Sequence, residues 1–374
     1  MTFRTKPVRL DSGLGHITVM STPAQVTLSV SPRTRIDVVD VRARAASAHG
    51  DLLEHFPRAL YYSFHTTAGY LDQGLAMRLN RKRDGVAPYL NFFQALFPEG
   101  GGYQHDELHL REELSEAQRR VEPRNADSHL AFISAGLRSC VTYRRRHGEP
   151  VYFIDLDGIN NGQPRQRVTS ILGYNSEEPV ATVRVTVPIS GHPVDSVNLK
   201  DPRLGLYDRC RELINQHGVD KGRIHIALAP GEHQAGLTVN EYETLLMQHD
   251  LAEVLRNPLR FMAEKSRHLL ADPRAIPNKT IGYAKYDMVR VFNELVDALG
   301  LNESVVEKIL ARFIGAPARR FLRMKRSVCL LVSDEDQPGL GTLAEGPFQS
   351  PILVQWQRSE RRERAIDVSL TRFR

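Results

Sequence analysis

Residues 59–68 are ALYYSFHTTA, and this stretch indicates both the type of sheet and the position of a polar cluster. Its first part is short, apolar and rich in aromatic residues, which favours a buried β-strand. No turn signal separates this strand from His65, Thr66 and Thr67. The stretch therefore predicts a strand that leads directly into a histidine.

The surrounding segments predict further strands and two helices in the first half of the chain. Apolar residues alternate over 25–44, with a break at Ser31-Pro32, and residues 151–156 are also strand-like. Residues 112–120 are charged and helical in pattern, and 125–137 have apolar residues spaced for one helix face. We therefore expect a mainly antiparallel sheet with helices packed against it.

The second half repeats this order. Residues 180–187 alternate cleanly, a helix over 207–217 ends at Gly218, and a strand over 223–228 is followed by a loop that contains His233. Helical spacing then dominates over 251–323, and the chain closes with strands at 327–332, 352–356 and 365–370. The order, together with the similar segments FHTTAGYLDQ and GEHQAGLTVNEYE, predicts an internal duplication. Two unrelated sheets with similar loops are the alternative.

Length and composition fit two globular domains in a reducing compartment. The chain has 374 residues, 41% of them hydrophobic and 25% charged. No apolar run approaches the roughly 20 residues of a membrane span, and the N-terminus lacks the apolar segment of a signal peptide. Three widely separated cysteines give no disulfide framework. We expect a cytoplasmic protein with no membrane partner.

The net charge of +6 is compatible with a nucleic-acid partner, but the basic residues are dispersed. The densest runs, 144–146 and 358–364, are not interleaved with the aromatic residues that stack on single strands. Attraction for an anionic small molecule is therefore the preferred interpretation, and a nucleic-acid partner is not expected.

Three histidines of the first half, His65, His105 and His129, are candidate metal ligands. Three neutral imidazoles around one cation, with a fourth position open, are typical of a catalytic zinc site. The expected cofactor is Zn²⁺ or another divalent transition metal. The three residues lie in separate segments, so spacing alone does not show that they converge, and a histidine taken alone is more often a surface or satisfied core residue.

The segments that contain these histidines resemble the YjbQ family (UPF0047, secondary thiamine-phosphate synthase). Residues 65–68 are HTTA, 103–105 are YQH and 125–129 are NADSH, in the order found in that family. A fourth segment, 161–167, is NGQPRQR and is similar to the family's closing D-G-P-R-x-R with one residue inserted. The resemblance covers about residues 25–172.

The resemblance implies a β-sandwich-like α+β unit in which three histidines surround a metal. It also implies assembly as a homo-oligomer and a weak thiamine-phosphate synthase activity. We therefore predict an α+β protein of two YjbQ-like β-sandwich-type domains with packed helices, residues 1–176 and 177–374. The second domain is expected to carry a helical insertion over about 251–323.

Departures from the family pattern suggest a composite site. The family continues after H-T-T-A into L-T-[IV]-N-E, whereas residues 69–73 are GYLDQ here. The missing Asn-Glu pair is found in the second half, in GLTVNE at 236–241, where only His233 aligns with a family histidine. Asn240 and Glu241 are thus predicted to complete the first half's site. Alternatively, the second half is structural and its acid only favours a helix N-terminus.

We assign roles to the candidate residues on this basis. Glu241 or Asp106 is expected to be the proton acceptor, and Asn240 is expected to act next to Glu241. The three histidines are expected to be the metal ligands. Arg165 and Arg167 alternate on a strand and so face one side, where they can hold an anion, although strand arginines without a ligand are as common. The substrate-binding candidates are Thr66, Thr67, Asn125, Arg165 and Arg167.

The predicted function is a metal-dependent enzyme, a transferase, hydrolase or lyase, that acts on a phosphorylated or other anionic small molecule. A metal would lower the pKa of bound water toward ~7. The alternative is a non-catalytic metal- or ligand-binding protein derived from the same family. A nucleic-acid-binding module rests on charge alone.

Overall fold

The computed structural model describes residues 22–256 and 324–374. The insertion predicted over 251–323 therefore lies outside the described residues, apart from its first six positions. Those six form a helix, α7, at Leu251–Arg256.

The first half contains nine strands and five α-helices within the described residues. The strands are β1 Ala24–Val30, β2 Asp37–Asp40, β3 Arg58–Ser63, β4 Ala68–Gly69, β5 Cys140–Arg144, β6 Tyr152–Asp155, β7 Ile159–Asn160, β8 Gln163–Pro164 and β9 Arg167–Tyr174. The helices are α1 Val41–His49, α2 Gln73–Arg78, α3 Arg83–Leu96, α4 Glu116–Val121 and α5 Ala126–Ser134. One sheet has the order β1-β9-β3-β5, a second has β2-β6-β4, and β7 and β8 form a hairpin.

The second half starts at β10 and uses longer strands. Its strands are β10 Glu177–Pro188, β11 Asp195–Asn198, β12 Gly222–Leu228, β13 Ala235–Asn240, β14 Ser327–Ser333, β15 Thr342–Ala344, β16 Ser350–Gln355 and β17 Glu363–Phe373. Its helices are α6 Leu206–His217, a π-helical turn Leu245–Asp250, and α7. The predicted boundary between residues 176 and 177 falls between β9 and β10.

The same antiparallel arrangement occurs in both halves. The sheet β10-β17-β12-β14, extended by β15, has the order of β1-β9-β3-β5, and β11-β16-β13 has the order of β2-β6-β4. Each strand of the first half's two main sheets thus has a counterpart in the second half at the same place in the chain order. The predicted α+β fold class, with two units of the same topology, is confirmed.

One hydrogen-bonding arrangement occurs at equivalent positions of the two halves. Asp37, the first residue of β2, accepts backbone N–H groups from Arg33 and Val38, each at 2.9 Å. Asp195, the first residue of β11, accepts those of Ser190 at 3.0 Å and Ser196 at 2.8 Å. In both halves, therefore, a carboxylate satisfies the backbone donors of the turn that enters the short sheet.

The two halves share a hydrophobic core. Leu90 of α3 and Phe132 of α5 belong to the same buried cluster as Leu246, Leu251 and Ile352 of the second half. This packing places α5 against β13. The N-terminal end of α5 and the C-terminal end of β13 are thereby brought together at the junction of the halves.

Two predicted elements differ from the structure. Residues 41–44 were expected to continue a strand but begin α1, because the carboxylate of Asp40 accepts the N–H groups of Arg42 and Ala43 and caps a helix there. The helix predicted over 112–120 begins only at Glu116, where Ser115 and Gln118 form a capping box.

Within residues 22–256 and 324–374, we find no helix whose length and apolar character would allow it to cross a membrane.

Candidate active site at the junction of the two halves

The site is built where α5 begins and β13 ends. The backbone N–H of Ala126, at the start of α5, donates to Asp106 at 3.0 Å, so this carboxylate fixes the helix end that carries His129. On the other side, Asn240 closes β13, and its amide Nδ2 donates to the carbonyl of Thr66 at 3.2 Å. The second half is thereby attached to the loop that follows β3.

His129 is oriented by Asn240. The ring Nδ1 lies 2.6 Å from the amide oxygen of Asn240, which also accepts the N–H of Glu241 at 2.8 Å. Because the Nδ2 of Asn240 is used as a donor to Thr66, its oxygen must face the ring. The Nδ1 of His129 is therefore protonated in the neutral ring, and the lone pair is on Nε2.

The Nε2 of His129 is open. It is buried and has no hydrogen-bond partner among the described residues. The nearest carboxylate oxygen is Oε2 of Glu241 at 3.7 Å, which is longer than a hydrogen bond. A buried acceptor of this kind costs stability unless a ligand or water satisfies it.

Glu241 is partly accessible and is held between two groups. One carboxylate oxygen faces His129, and the other lies 3.7 Å from Nη2 of Arg111. Burial raises the pKa of Glu241 and outweighs the nearby positive charges of His105 and Arg111. Glu241 is thus suited to carry a proton at a pH where an exposed glutamate is ionised.

His105 differs from His129 in its charge. Its Nδ1 lies 2.9 Å from Oε2 of Glu243 and its Nε2 lies 3.3 Å from Oδ1 of Asn125. The Nδ2 of Asn125 donates to Asp157 at 2.6 Å, so the amide oxygen faces the histidine. Both neighbours of the ring are acceptors, and the arrangement therefore favours the imidazolium.

The two rings influence each other. Burial alone would lower the pKa of His105, but the hydrogen bond to Glu243 and the charges of Asp106 and Glu241 raise it overall. For His129, burial and then the positive charge of His105, whose ring centroid is 5.4 Å away, lower the pKa well below its ordinary value. The pair therefore consists of one charged and one neutral histidine.

The His105–Glu243 pair should make stability depend on pH. A histidine whose folded pKa is raised contributes stability that is fully present below its unfolded pKa and is lost as the pH rises through the folded pKa. We expect the free energy of unfolding to fall as the pH rises from the ordinary pKa of histidine, 6.5, through the raised pKa of His105, and we expect Glu243→Gln to make this fall smaller. Urea titrations across this range would measure it, with Glu253→Gln as the control. Equal pH slopes in wild type and Glu243→Gln would contradict the pairing.

His65 lies in the loop between β3 and β4, next to Thr66, whose carbonyl accepts from Asn240. Its Nε2 accepts the backbone N–H of Val168 at 2.7 Å. Burial, reinforced by the charges of Arg167 and Arg165, lowers the pKa of His65 to about 3. His65 is therefore a neutral ring whose Nε2 lone pair already supports the strand β9.

The predicted three-histidine metal centre does not fit this arrangement. Both nitrogens of His105, Nδ1 of His129 and Nε2 of His65 are occupied by protein groups. Among the residues that the structure describes, no set of three His, Cys, Asp or Glu side chains is arranged to hold a metal ion. The expectation of one Zn²⁺ per chain stays a prediction, and metal analysis of the purified protein and of His129→Ala would test it.

The two predicted anion-binding arginines pair with aspartates. Arg167 is buried and binds Asp155 through Nε at 2.6 Å and Nη2 at 2.9 Å, and its Nη2 also donates to Thr67 Oγ1 at 3.3 Å. Arg165 forms an ion pair with Asp157. Arg167 cannot clamp an anion here without leaving Asp155, and Arg165 is held by Asp157 through Nη1, so their role in substrate binding stays a prediction.

The remaining candidates have positioning roles in this structure. Thr66 takes part through its backbone carbonyl, and Asn125 bridges His105 and Asp157. Burial raises the pKa of Asp106 to about 6, but this carboxylate caps α5. Two further groups, Arg111 and Glu243, were not predicted. Glu243 lies only two residues after Glu241, and this closeness in sequence was the one signal that could have indicated that Glu243 belongs to the site.

Comparison with known proteins finds similarity at the level of solved structures. No protein-family model and no curated protein matches the chain. A protein described as YbjQ-like and of unknown function, from Sulfolobus solfataricus P2, is 15% identical, with a TM-score of 0.28 and coverage of 53% of this chain and 99% of its own. A hypothetical protein from Aeropyrum pernix K1 is 17% identical, with a TM-score of 0.25 and coverage of 50% and 96%.

A third similar structure is named for the family that the sequence motifs resemble. It is described as an uncharacterized conserved protein of the YjbQ/UPF0047 family from Clostridium acetobutylicum, with 12% identity, a TM-score of 0.25 and coverage of 50% of this chain and 98% of its own. The chain is thus similar to YjbQ/UPF0047 proteins in its motifs and in the structures it matches. The descriptions of these proteins name no ligand or reaction.

Proposed function

We propose that this protein is an enzyme that acts on a phosphorylated or other anionic small molecule by proton transfer between the ligand, His129 and Glu241. The observation that carries the proposal is the buried Nε2 of His129, which has no hydrogen-bond partner among the described residues and lies beside a carboxyl group of raised pKa. Perturbed titratable groups of this kind are concentrated at functional sites.

The arrangement supports both directions of proton transfer. Neutral His129 accepts a proton from a ligand O–H or N–H at Nε2, while Asn240 holds the Nδ1–H and so fixes the tautomer. Protonated Glu241 gives its proton to the other reacting atom. The resulting imidazolium and carboxylate face each other across the 3.7 Å gap, and a proton transfer between them restores the starting state.

Resemblance to the YjbQ family favours a transferase that forms thiamine phosphate. Because the histidines do not fit a three-histidine centre, no step is assigned to a metal. The alternative is a non-catalytic ligand-binding protein in which His129 only donates or accepts a hydrogen bond. Glu241 favours catalysis, because a site that only binds an anion gains nothing from a neighbouring carboxyl group whose ionised form would repel the ligand.

The experiment is an assay of thiamine phosphate formation with the full chain and with His129→Gln. We expect the rate to fall by at least about 100-fold, the usual contribution of a positioned general base. The matched control is His225→Gln, because His225 is a half-buried histidine of β12 in the other half. Turnover in His129→Gln equal to that of wild type would contradict the proposal. Ligand binding without any wild-type turnover would support the alternative.

The cytoplasmic location and the homo-oligomer also stay proposals. The described residues hold no helix that could span a membrane, which is compatible with the first. Light scattering of the purified chain would measure the second.

A further inference from the structure

A cavity of about 460 Å³ lies beside the site in the first half. Its volume is within the range of roughly 300–1,000 Å³ that is usual for small-molecule sites. Arginines from three segments line it, and we call it the arginine cavity. They are Arg35 before β2, Arg119 and Arg120 of α4, and Arg124 before α5.

The carboxylates of the cavity wall are already neutralised. Glu99 pairs with Arg35 at 2.7 Å, and Glu122 pairs with Arg111 at 2.7 Å. The third, Asp157, pairs with Arg165. The negative charge of the wall is therefore balanced by arginines other than those of α4.

Three guanidinium groups remain without a counter-ion. In residues 22–256 and 324–374, no carboxylate forms an ion pair with Arg119, Arg120 or Arg124. Arg119 donates one hydrogen bond, from Nη2 to the carbonyl of Arg111, but its buried Nε has no partner within the described part of the chain. Like charges gathered without a counter-ion repel one another, and a bound anion removes that cost.

Two short relays connect the arginine cavity to the proton-transfer groups. Asp157 of the wall accepts from Asn125 at 2.6 Å, and Asn125 in turn contacts His105. Glu122 of the wall binds Arg111, whose Nη2 is 3.7 Å from Glu241. In each relay, one residue of the wall and one residue behind it separate a molecule in the cavity from His105 or from Glu241.

We propose that the arginine cavity binds the phosphate or diphosphate group of the substrate through Arg119, Arg120 and Arg124. Guanidinium groups present paired N–H donors that match phosphate oxygens, and the cavity offers three of them where the strand arginines are held by aspartates. That the bound anion is a substrate rests on the proposed function. Anion binding itself can be measured without turnover.

Inorganic pyrophosphate is the probe, and calorimetric titration of the full chain is the measurement. Arg120 and Arg124 are exposed, and their side chains make no hydrogen bond or ion pair with the residues that the structure describes, so Arg120→Gln/Arg124→Gln should fold normally. We expect this variant to bind pyrophosphate at least about 10-fold more weakly, as the loss of charge-assisted hydrogen bonds implies. The matched control is Arg209→Gln/Arg211→Gln, which removes the same charge from an exposed face of α6.

The outcomes separate this proposal from the proposed function. The anion site is supported if Arg120→Gln/Arg124→Gln loses pyrophosphate binding while Arg209→Gln/Arg211→Gln and Glu241→Gln retain it. This result would stand even if Glu241→Gln had full activity, which would contradict only the proposed function. Equal weakening in both arginine variants would show a general effect of charge and overturn the anion site. The proposal would also be overturned if the wild type did not bind pyrophosphate. It would be overturned as well if the cavity variant lost affinity for a single-stranded oligonucleotide but kept its affinity for pyrophosphate.

Discussion

Glu241→Gln is expected to lower the rate of the proposed reaction by about 10²–10⁴-fold, the usual contribution of a positioned proton donor or acceptor. Glutamine keeps the shape of the side chain but cannot carry the exchanged proton. The carboxylate makes no contact closer than 3.7 Å to His129 or Arg111, so the folded state loses little when it is replaced. The free energy of unfolding should change by only about 0.5 kcal/mol.

The control for this variant is Glu253→Gln, because Glu253 is exposed on α7 and should leave the rate unchanged. Glu243→Gln provides a second comparison, since Glu243 holds His105 and should affect stability before rate. A Glu241→Gln protein with wild-type turnover would remove this residue from the mechanism. Asp106 would then be the next candidate, although its position as the cap of α5 argues against it.

Arg167→Met is expected to destabilise the protein by about 3–5 kcal/mol, because it leaves the carboxylate of Asp155 buried without its partner. Asp155 is 1% exposed and Arg167 is 2% exposed. The two form a bidentate ion pair that joins the ends of β6 and β9. Urea denaturation of the wild type and the variant would measure the difference.

Arg184→Met is the matched control for this pair. Arg184 of β10 also makes a bidentate contact with an aspartate, Asp367 of β17, but its side chain is 60% exposed. Its loss should cost about 0–1 kcal/mol, as is usual for surface ion pairs. If Arg167→Met costs no more than Arg184→Met, then Arg167 is not a structural residue, and the sequence-based assignment to anion binding regains support.

The alternation of apolar residues was sufficient to predict the main strands. Residues 180–187 and 223–228 lie within β10 and β12, and the repeated order of elements in the two halves follows the repeated pattern. Helix α3 was not predicted, because Gly85 and Pro88 interrupt its pattern and tertiary packing decides its conformation. Helix α1 was missed because only Val41 and Ala45 are buried on it.

Some neighbours within the candidate site could be predicted from the sequence. The missing Asn-Glu pair in the first half led to Asn240 and Glu241, and both lie beside His129. The sequence could not show how the ring nitrogens are used, because hydrogen-bond partners such as Glu243 and Val168 come from distant segments. For the same reason it could not show that Arg165 and Arg167 are held by aspartates.

The hydrogen bond between His129 and Asn240 has an evolutionary consequence. A unit that contains both the imidazole and the amide does not depend on a second unit for this contact. Two such units can diverge in sequence or be separated, and each keeps the contact. Here the imidazole belongs to one copy of the repeat, and the amide that sets its tautomer belongs to the other. Once the two groups are divided between the copies in this way, the division is difficult to reverse. A gene split that separated the copies would give two proteins, each with only one of the two groups.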